Sequence, residues 1–533
     1  MPLKLNRFWW AALVAAWAVD FLFFDKPLGV SFLIWGLLLL AALFLMLRAQ
    51  KLRAHPLSAV LAGGVVIFSA IPVLRAEPFT RATAVLMTLF MLGLLAATLR
   101  NGHWPFFRLW DYLAEAFKLA LAAIVRPFDL IRTNELETSE EVARPSGFAR
   151  FWRGSAPVLR GLLLALPVLA ILSALFAAAD PIFADRLNAF LAIFKIEKLP
   201  EYLLRLFYIL ILAFLFTGVL LHAVLPRQQS TRPDPEKPLF KPFLGWTESW
   251  IILLLVDALF AFFVALQVHY LFGGQSNITS TGYTYAEYAR RGFSELVVVA
   301  VISLLLYLGL NTIARRDNSN QRKGFTLLST LLIAQVLVIL ASALQRLMLY
   351  EGAYGFTRLR TYTFVFIPWL ALLLLTVIVL ELIRRPGRFG LALLIAVSGF
   401  TLSLAIINVD GFIARQNIQR AVKGEELDVS YFWQLSTDAV PVLVEHYQQS
   451  GITTEISNAL GAELACRQAL QTDLEPMPWQ GASWSASRSQ NYLSVITSRL
   501  SFPVWKADGT WMVEIEGTTQ PCRDYEAYPR YDP

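Results

Sequence analysis

Residues 257–295 of the chain read DALFAFFVALQVHYLFGGQSNITSTGYTYAEYARRGFSE. The stretch holds the end of one apolar helix, a turn with two adjacent glycines, and the charged start of a second apolar helix. Thr284 and Glu287 have the three-residue spacing of a capping box, in which each side chain bonds a free backbone N–H, so the second helix is predicted to begin there. The stretch therefore predicts a polar rim between two membrane spans.

Charged side chains in this stretch are placed at helical spacing. Glu287, Arg291 and Glu295 follow each other at intervals of four residues, which puts them on one face of the second helix. Asp257 lies within the apolar part of the preceding helix, where a carboxylate is costly unless it is paired, protonated or facing a cavity. Two interpretations stay open at this point, a structural ion pair or a site for a ligand or proton.

Several segments carry a family resemblance: 257–267, YLFGG at 270–274, TYAEYARRGF at 284–293, SALQRLMLYEGAYGFTRLR at 342–360, and NVDGFIARQN with LDVSYFWQLSTDAVP within 408–441. They resemble a bacterial polytopic membrane-protein family of unknown function, of the DUF 4173 / DUF 4153 type. The resemblance covers roughly residues 150–500, and the N-terminal spans match nothing in it. It implies a membrane fold and supplies no activity.

The composition excludes an ordinary soluble protein. Of 533 residues, 56% are hydrophobic, whereas soluble domains are usually below half. The net charge of +7 suggests nucleic acid, but the basic excess lies in short loops between apolar runs, where membrane topology places it. The lipid bilayer is therefore the predicted partner, and nucleic acid is not.

Apolar runs of about the length that crosses a bilayer predict eleven spans. They lie at residues 8–24, 30–47, 57–74, 82–99, 156–178, 202–225, 249–271, 292–312, 325–349, 362–383 and 388–407. The first run contains Asp20 and bulky aromatic residues where a signal-peptide cleavage site should be, so it is interpreted as an uncleaved span. Residues 104–125 have charged side chains on one side and apolar ones on the other, which predicts an amphipathic helix along the membrane surface.

Alternate loops are rich in Lys and Arg, which predicts a cytoplasmic N-terminus in a bacterial cytoplasmic (inner) membrane. An odd number of spans then exports the C-terminus. The predicted fold is an all-α polytopic transmembrane helix bundle of about eleven spans with a small extramembrane C-terminal α+β domain. The predicted divisions are 1–100 for spans one to four, 101–155 for a cytoplasmic amphipathic helix and basic loop, 156–407 for spans five to eleven, and 408–533 for the extracytoplasmic domain.

The C-terminal segment has its own local signals. Cys466 and Cys522 are the two cysteines of the chain, and an oxidising compartment would let them pair, although two free thiols are the alternative. Asp508 with Gly509 between two short apolar runs predicts a β-hairpin. Helix stops are predicted at Gly424 and Gly451, and a helix start at Ser436 or Thr437 with Asp438.

This topology brings the charged family segments to one side, near the outer leaflet beneath the exported domain. The predicted ligand-binding residues are Glu287, Arg291, Glu295, Arg346, Glu351, Arg358 and Arg360, with Asp257 and Asp20 as intramembrane titratable residues. Arginines there could hold a phosphate or carboxylate in a bidentate manner, as in an anionic ligand or a lipid headgroup. The alternative is that they extend to the interface and pair with nearby acids.

Sequence signatures of enzymes are mostly missing. The five histidines have no metal-ligand spacing, and neither a phosphate-binding glycine loop nor a G-x-S-x-G motif is found, so no catalytic residue, metal or cofactor is predicted. The favoured function is a sensor or assembly protein that binds a ligand, or a protein partner through its C-terminal domain. A secondary transporter or permease using intramembrane carboxylates is the first alternative, and a membrane-embedded transferase is the second.

Overall fold

The chain is built mainly from helices, which we analysed in a computed structural model. The structure describes residues 5–140, 199–225, 242–272, 293–449, 452–472, 477–515 and 517–522, with parts of 165–193. The chain forms two compact units, Met1–Phe21 with Leu119–His222, and Leu22–Lys118 with Ala223–Pro533. This division differs from the four segments expected from membrane topology, and those segment boundaries stay a prediction.

The described helices follow the apolar runs of the sequence. They are α1 (Leu5–Phe23), α2 (Val30–Ala49), α3 (Ser58–Leu74), α4 (Pro78–Thr98), α5 (Leu109–Glu140), α6 (Pro181–Ile193), α7 (Leu199–Val224), α8 (Trp246–Phe272), α9 (Phe293–Ile313), α10 (Ser319–Tyr354), α11 (Arg358–Leu382), α12 (Phe389–Ile407), α13 (Val409–Val422), α14 (Val429–Phe432), α15 (Val440–Tyr447), α16 (Thr454–Thr472) and α17 (Trp484–Ile496).

Eight of the described helices, α2, α4 and α7 to α12, are long and apolar enough to cross a membrane, and α3 is apolar but shorter. The polytopic membrane fold is therefore confirmed. The total of eleven spans stays a prediction. Helices α1 and α3, at the predicted spans 8–24 and 57–74, are not among the eight, and most of residues 156–178 lie outside the described part of the chain.

The predicted amphipathic helix is observed as α5, but it begins at Leu109 rather than at residue 104. Residues Trp104–Phe106 form a short 3-10 turn, and the backbone N–H of Arg108 donates to Asp111 Oδ2 at 2.8 Å, which starts the helix. Its apolar side chains Trp110, Leu113, Phe117 and Leu121 are each more than half exposed. Such a row suits the surface of a membrane.

An ion pair between α1 and α7 holds the smaller unit together. Arg205 donates from Nε to Asp20 Oδ1 at 2.8 Å and from Nη2 to Asp20 Oδ2 at 2.6 Å, and the Tyr208 hydroxyl also donates to this carboxylate. Asp20 is 5% exposed. Two parallel N–H bonds from one guanidinium stabilise the ionised form of a carboxylate. Asp20 is therefore held in a structural ion pair with Arg205.

In the larger unit, α10 is the central helix and packs against α8, α9 and α11. Its buried face carries Leu332, Val336 and Leu340, which join residues such as Leu253 and Leu374 in one apolar core.

Successive spans run in opposite directions, so successive connections between them lie at alternate ends of the bundle. One end, which we call the domain face, is where three connections bond the C-terminal helices, through Val30 N–H to Ala482 O at 2.9 Å, Ala76 N–H to Asp438 Oδ2 at 2.7 Å, and Phe356 N–H to Asn417 Oδ1 at 2.7 Å.

The C-terminal residues fold as helices α13 to α17 and a small antiparallel sheet, so the α+β prediction is confirmed. Strands β1 (Val504–Ala507) and β2 (Thr510–Ile515) form the predicted hairpin, with positive φ at Asp508 and Gly509 as a two-residue turn requires, and β3 (Thr518–Pro521) adds a third strand that was not predicted. Helix α13 ends before Gly424, whose φ is +95°, and a 3-10 turn begins after Ser436 as predicted. Gly451 lies outside the described residues.

The core of these C-terminal helices is shared with the ends of two spans. Phe432, Leu443 and Leu460 are buried in the same cluster as Val365 of α11 and Leu404 of α12. The helices are therefore packed onto the membrane bundle and are not joined to it by a linker.

A disulfide joins Cys466 of α16 to Cys522 after β3, with Cα atoms 5.5 Å apart. Both cysteines are buried beside Ala462 and Val513. Since the bond closes a chain separation of 56 residues, it should stabilise the folded segment by about 4 kcal/mol on the chain-entropy argument.

We therefore predict that Cys466→Ser exposes the sheet to protease. In limited proteolysis of the full-length protein without added reductant, cleavage after Lys506 should be faster in Cys466→Ser than in the wild type. Reductant should convert the wild type to the variant's pattern and leave the variant unchanged. Equal cleavage of the oxidised wild type and the variant would contradict a stabilising disulfide.

Candidate functional site

The five predicted ligand-binding residues that the structure describes do not form one cluster. Glu287 and Arg291 lie outside the described residues. Glu295 is exposed in the first turn of α9 and accepts a bond from the Ser294 hydroxyl at 2.9 Å. The other four divide into two groups, Arg358 and Arg360 on the domain face, and Arg346 and Glu351 within α10.

Arg358 is engaged by a carboxylate of the C-terminal helices. Its Nε and Nη2 atoms donate to Asp410 Oδ1 and Oδ2 at 2.8 and 2.7 Å, and Asp410 Oδ2 also accepts the backbone N–H of Ser436 at 2.6 Å. The backbone N–H of Arg358 donates to the Tyr431 hydroxyl at 2.7 Å. Asp410 is fully buried. The bidentate grip predicted for an external anion is thus made with an acid of the same chain.

Asp438 bonds the connection between α3 and α4. Its Oδ2 atom accepts the backbone N–H groups of Ala76 and Glu77 at 2.7 and 3.1 Å and lies 3.3 Å from the Ser436 hydroxyl. Burial raises the pKa of the Asp438 carboxyl, while the Ala76 backbone N–H and Arg75 act in the opposite direction. The sequence marks Asp438 only as part of a helix start, because the residues around it carry no sign of a partner 362 positions away.

Glu77 is a second buried acid of the domain face that sequence analysis missed. Its carboxylate caps α4 by accepting the backbone N–H groups of Phe79 and Thr80 at 2.8 and 2.7 Å, and it also accepts the Tyr362 hydroxyl of α11. Glu77 is followed by Pro78, and an acid before a proline at the first helical position is a recognisable cap signal. We call Glu77, Arg358, Tyr362, Asp410 and Asp438 the domain-face network.

Arg360 closes the end of α10. Its Nη1 atom donates to the carbonyl oxygens of Gly355 and Tyr354 at 2.5 and 3.2 Å, and its guanidinium lies 3.9 Å from the centroid of the Tyr350 ring. A cation that bonds the last carbonyls of a helix and covers an aromatic ring is a structural cap.

Arg346 belongs to a second polar group, which links α8 to α10 inside the bundle. The side-chain oxygen of Gln267 accepts the Ser342 hydroxyl at 2.9 Å and Arg346 Nη2 at 3.1 Å. Glu351 lies one to two turns further along α10 and is 3% exposed, and its Oε1 atom has no hydrogen-bond partner among the described residues. The bonds of Gln267 join α8 to α10 in the interior of the bundle, where water does not compete for them.

Two further carboxylates within spans behave differently from each other. Glu381 of α11 accepts the Tyr307 hydroxyl at 2.7 Å and the Thr326 hydroxyl at 2.9 Å, and sequence analysis did not select it. Asp257 of α8 is 3% exposed, and neither of its carboxylate oxygens has a hydrogen-bond partner in the part of the chain that the structure describes. Asp257 is thus a buried acid for which the described residues supply no hydrogen bond to either oxygen.

We predict that Asp410→Ala destabilises the protein by about 3–5 kcal/mol, since removing one partner of a buried pair leaves the other charge uncompensated. Thermal unfolding of the detergent-solubilised protein, followed by tryptophan fluorescence, would measure it. The control is Glu445→Ala, because the Arg415–Glu445 pair is 3.9 Å apart with both side chains about half exposed, and it should cost about 0–1 kcal/mol. A similar loss of unfolding free energy in both variants would show that the Asp410–Arg358 pair does not stabilise the fold more than an exposed pair does.

We also predict that Asp438 contributes a pH dependence to stability. Because its pKa is raised in the folded protein, the folded state binds its proton more tightly than the unfolded state does. Stability should therefore fall as pH rises from the ordinary aspartate pKa to the raised folded value. Unfolding midpoints of wild type and Asp438→Asn measured across this range should diverge, with the variant flatter. Parallel curves would mean that Asp438 titrates alike in both states.

Comparison with known proteins identifies the chain only at the level of its family. Neither a search of curated proteins nor a search of solved structures gave a match. A family model does match, and it begins within α3 and ends within α15, so it includes N-terminal helices that the motif resemblance left out and stops before the sheet and the disulfide. This match covers residues 62–446, more than half of the chain, and the protein therefore belongs to the family described as Domain of unknown function (DUF4153).

Proposed function

We propose that this integral membrane protein is a sensor or assembly protein, in which the C-terminal domain receives a ligand or a protein partner and transmits its state to the membrane helices. The observation that carries the proposal is the set of hydrogen bonds between that domain and three connections of the helices on the domain face.

The bonds attach the domain to helices that are far apart in the sequence. Asp438 binds the connection between α3 and α4, and Asp410 binds the start of α11. At the connection between α1 and α2, a Cβ placed on Gly29 would lie 2.5 Å from the Gly481 backbone, so these two segments of the chain are in direct contact. A rotation of the domain would break these hydrogen bonds unless the helix ends moved with it. Binding to the domain can in this way shift the helices between two packed arrangements.

The shared core supports the same coupling. Val365 and Leu404 belong to spans and pack in one cluster with Phe432 and Leu443 of the domain. Close-packed interiors transmit displacement and do not absorb it. Binding to the domain is therefore expected to change the packing of α11 and α12.

Two observations support an extracytoplasmic domain in a bacterial cytoplasmic membrane. A disulfide persists in an oxidising compartment. The connections at the end opposite the domain face are basic, as cytoplasmic loops are: they carry Arg48, Lys51 and Arg53, then Arg315, Arg316, Arg322 and Lys323, and then Arg384, Arg385 and Arg388.

The coupling is tested by adding one methyl group at the contact between the α1–α2 connection and the domain. Gly29→Ala should overpack this contact, at a cost of about 1–3 kcal/mol. The control is Gly63→Ala, where an added Cβ meets nothing within 4 Å. Hydrogen exchange of the full-length protein in lipid nanodiscs would measure the effect.

We expect Gly29→Ala, and not Gly63→Ala, to speed exchange by about tenfold in segments 405–412 and 431–440, which carry Asp410, Ser436 and Asp438. Faster exchange restricted to residues that touch Gly29 would show that the domain does not move as one body with the helix ends, and the proposed relay would be wrong.

A further inference from the structure

Asp257 lies deep within the membrane region. It lies eleven positions after Trp246 at the start of α8, so it is about 16 Å along the helix axis from that end. That distance is about half of the roughly 30 Å hydrocarbon thickness of a bilayer. The side chain is 3% exposed, so it faces neither lipid nor solvent.

Apolar layers close the site along the helix in both directions. One turn before Asp257, Leu253 is buried in the core that also contains Leu332 and Val336 of α10. One to two turns after it, Phe260 and Val264 pack against a second cluster, formed by Leu296, Ile339 and Ala343. The second layer separates Asp257 from the Gln267, Ser342 and Arg346 group.

Charged groups of the packed helices lie at the helix ends. In α9 the acid is Glu295, in the first turn, and the Tyr307 hydroxyl is bonded to Glu381. In α10 the charges are Arg322 and Lys323 at the start, and Arg346 and Glu351 towards the other end, while α8 itself carries Glu248 in its first turn. None of the described residues gives Asp257 an ion pair or a hydrogen bond.

An isolated carboxylate in such surroundings is far less stable than the neutral acid, so the group takes up a proton. A divalent metal would need several oxygen ligands, and among the described residues no three His, Cys, Asp or Glu side chains gather to hold one. The ligand that this geometry can accommodate is therefore a proton.

We infer that Asp257 is an occluded proton-binding site. The carboxylate takes a proton from hydronium and leaves water when the packing between α8 and α10 opens, and the apolar layers then enclose the neutral acid. Release reverses these steps. The site is independent of the proposed relay on the domain face, because none of its layers includes a residue of the domain-face network.

Asp20 is a matched control for Asp257. Both are aspartates buried within apolar helices, but Asp20 forms a two-point ion pair with Arg205. Asparagine has the shape of a neutral aspartic acid and cannot replace an ionised one. Asp257→Asn should therefore leave the thermal unfolding midpoint of the full-length protein unchanged, whereas Asp20→Asn should lower it by several degrees because Arg205 loses its partner.

Infrared spectroscopy of the protein in lipid membranes gives a second readout. Wild type should show a protonated carboxyl C=O band that is lost in Asp257→Asn, kept in Asp20→Asn and shifted, not lost, in Asp257→Glu. If no C=O band depends on residue 257, or if Asp257→Asn lowers the unfolding midpoint as much as Asp20→Asn does, Asp257 is ionised and paired and the inference is overturned.

Discussion

The fold depends on the rule that a charged group removed from water must find a partner within the protein or lose its charge. A lipid bilayer offers no hydrogen bonds to a carboxylate or to a free backbone N–H, so the buried acids of this chain decide which segments come together. Asp20 fastens α1 to α7, Glu381 fastens α11 to α9 and α10, and Asp410 and Asp438 fasten the C-terminal helices to the span ends. Apolar packing supplies the mass of the interior, and these few acids specify its arrangement.

The same rule explains which inferences sequence analysis could make. The positions of the described apolar helices, the Asp508–Gly509 hairpin and the helix start at Ser436 are set by neighbouring residues. In the structure they lie close to where the sequence places them. The partner of a buried charge is not local. Arg358 looks like a free cation beside a span, and its role becomes visible only when Asp410, 52 residues later, is brought against it.

The sequence also predicts a separate extracytoplasmic domain at residues 408–533, because the last apolar run ends at residue 407. Their helices in fact bury Phe432 and Leu443 against Val365 and Leu404, so the domain takes part of its core from the membrane bundle. The sequence of a segment shows which side chains are apolar, but it does not show which of them pack against a neighbouring segment. Glu77 was missed for a related reason, since its role as a helix cap hides its second role towards Tyr362.

The bond between Asp438 and the backbone of Ala76 spans 362 residues, and this separation has a consequence for synthesis of the protein. The connection between α3 and α4 leaves the ribosome long before α15 exists, so during translation its N–H groups must remain hydrated at the membrane surface. Helix insertion can then proceed from the N-terminus, but the final tertiary state has to wait for the last quarter of the polypeptide. A chain truncated before Asp438 would therefore insert its first helices without the contact that closes the connection between α3 and α4.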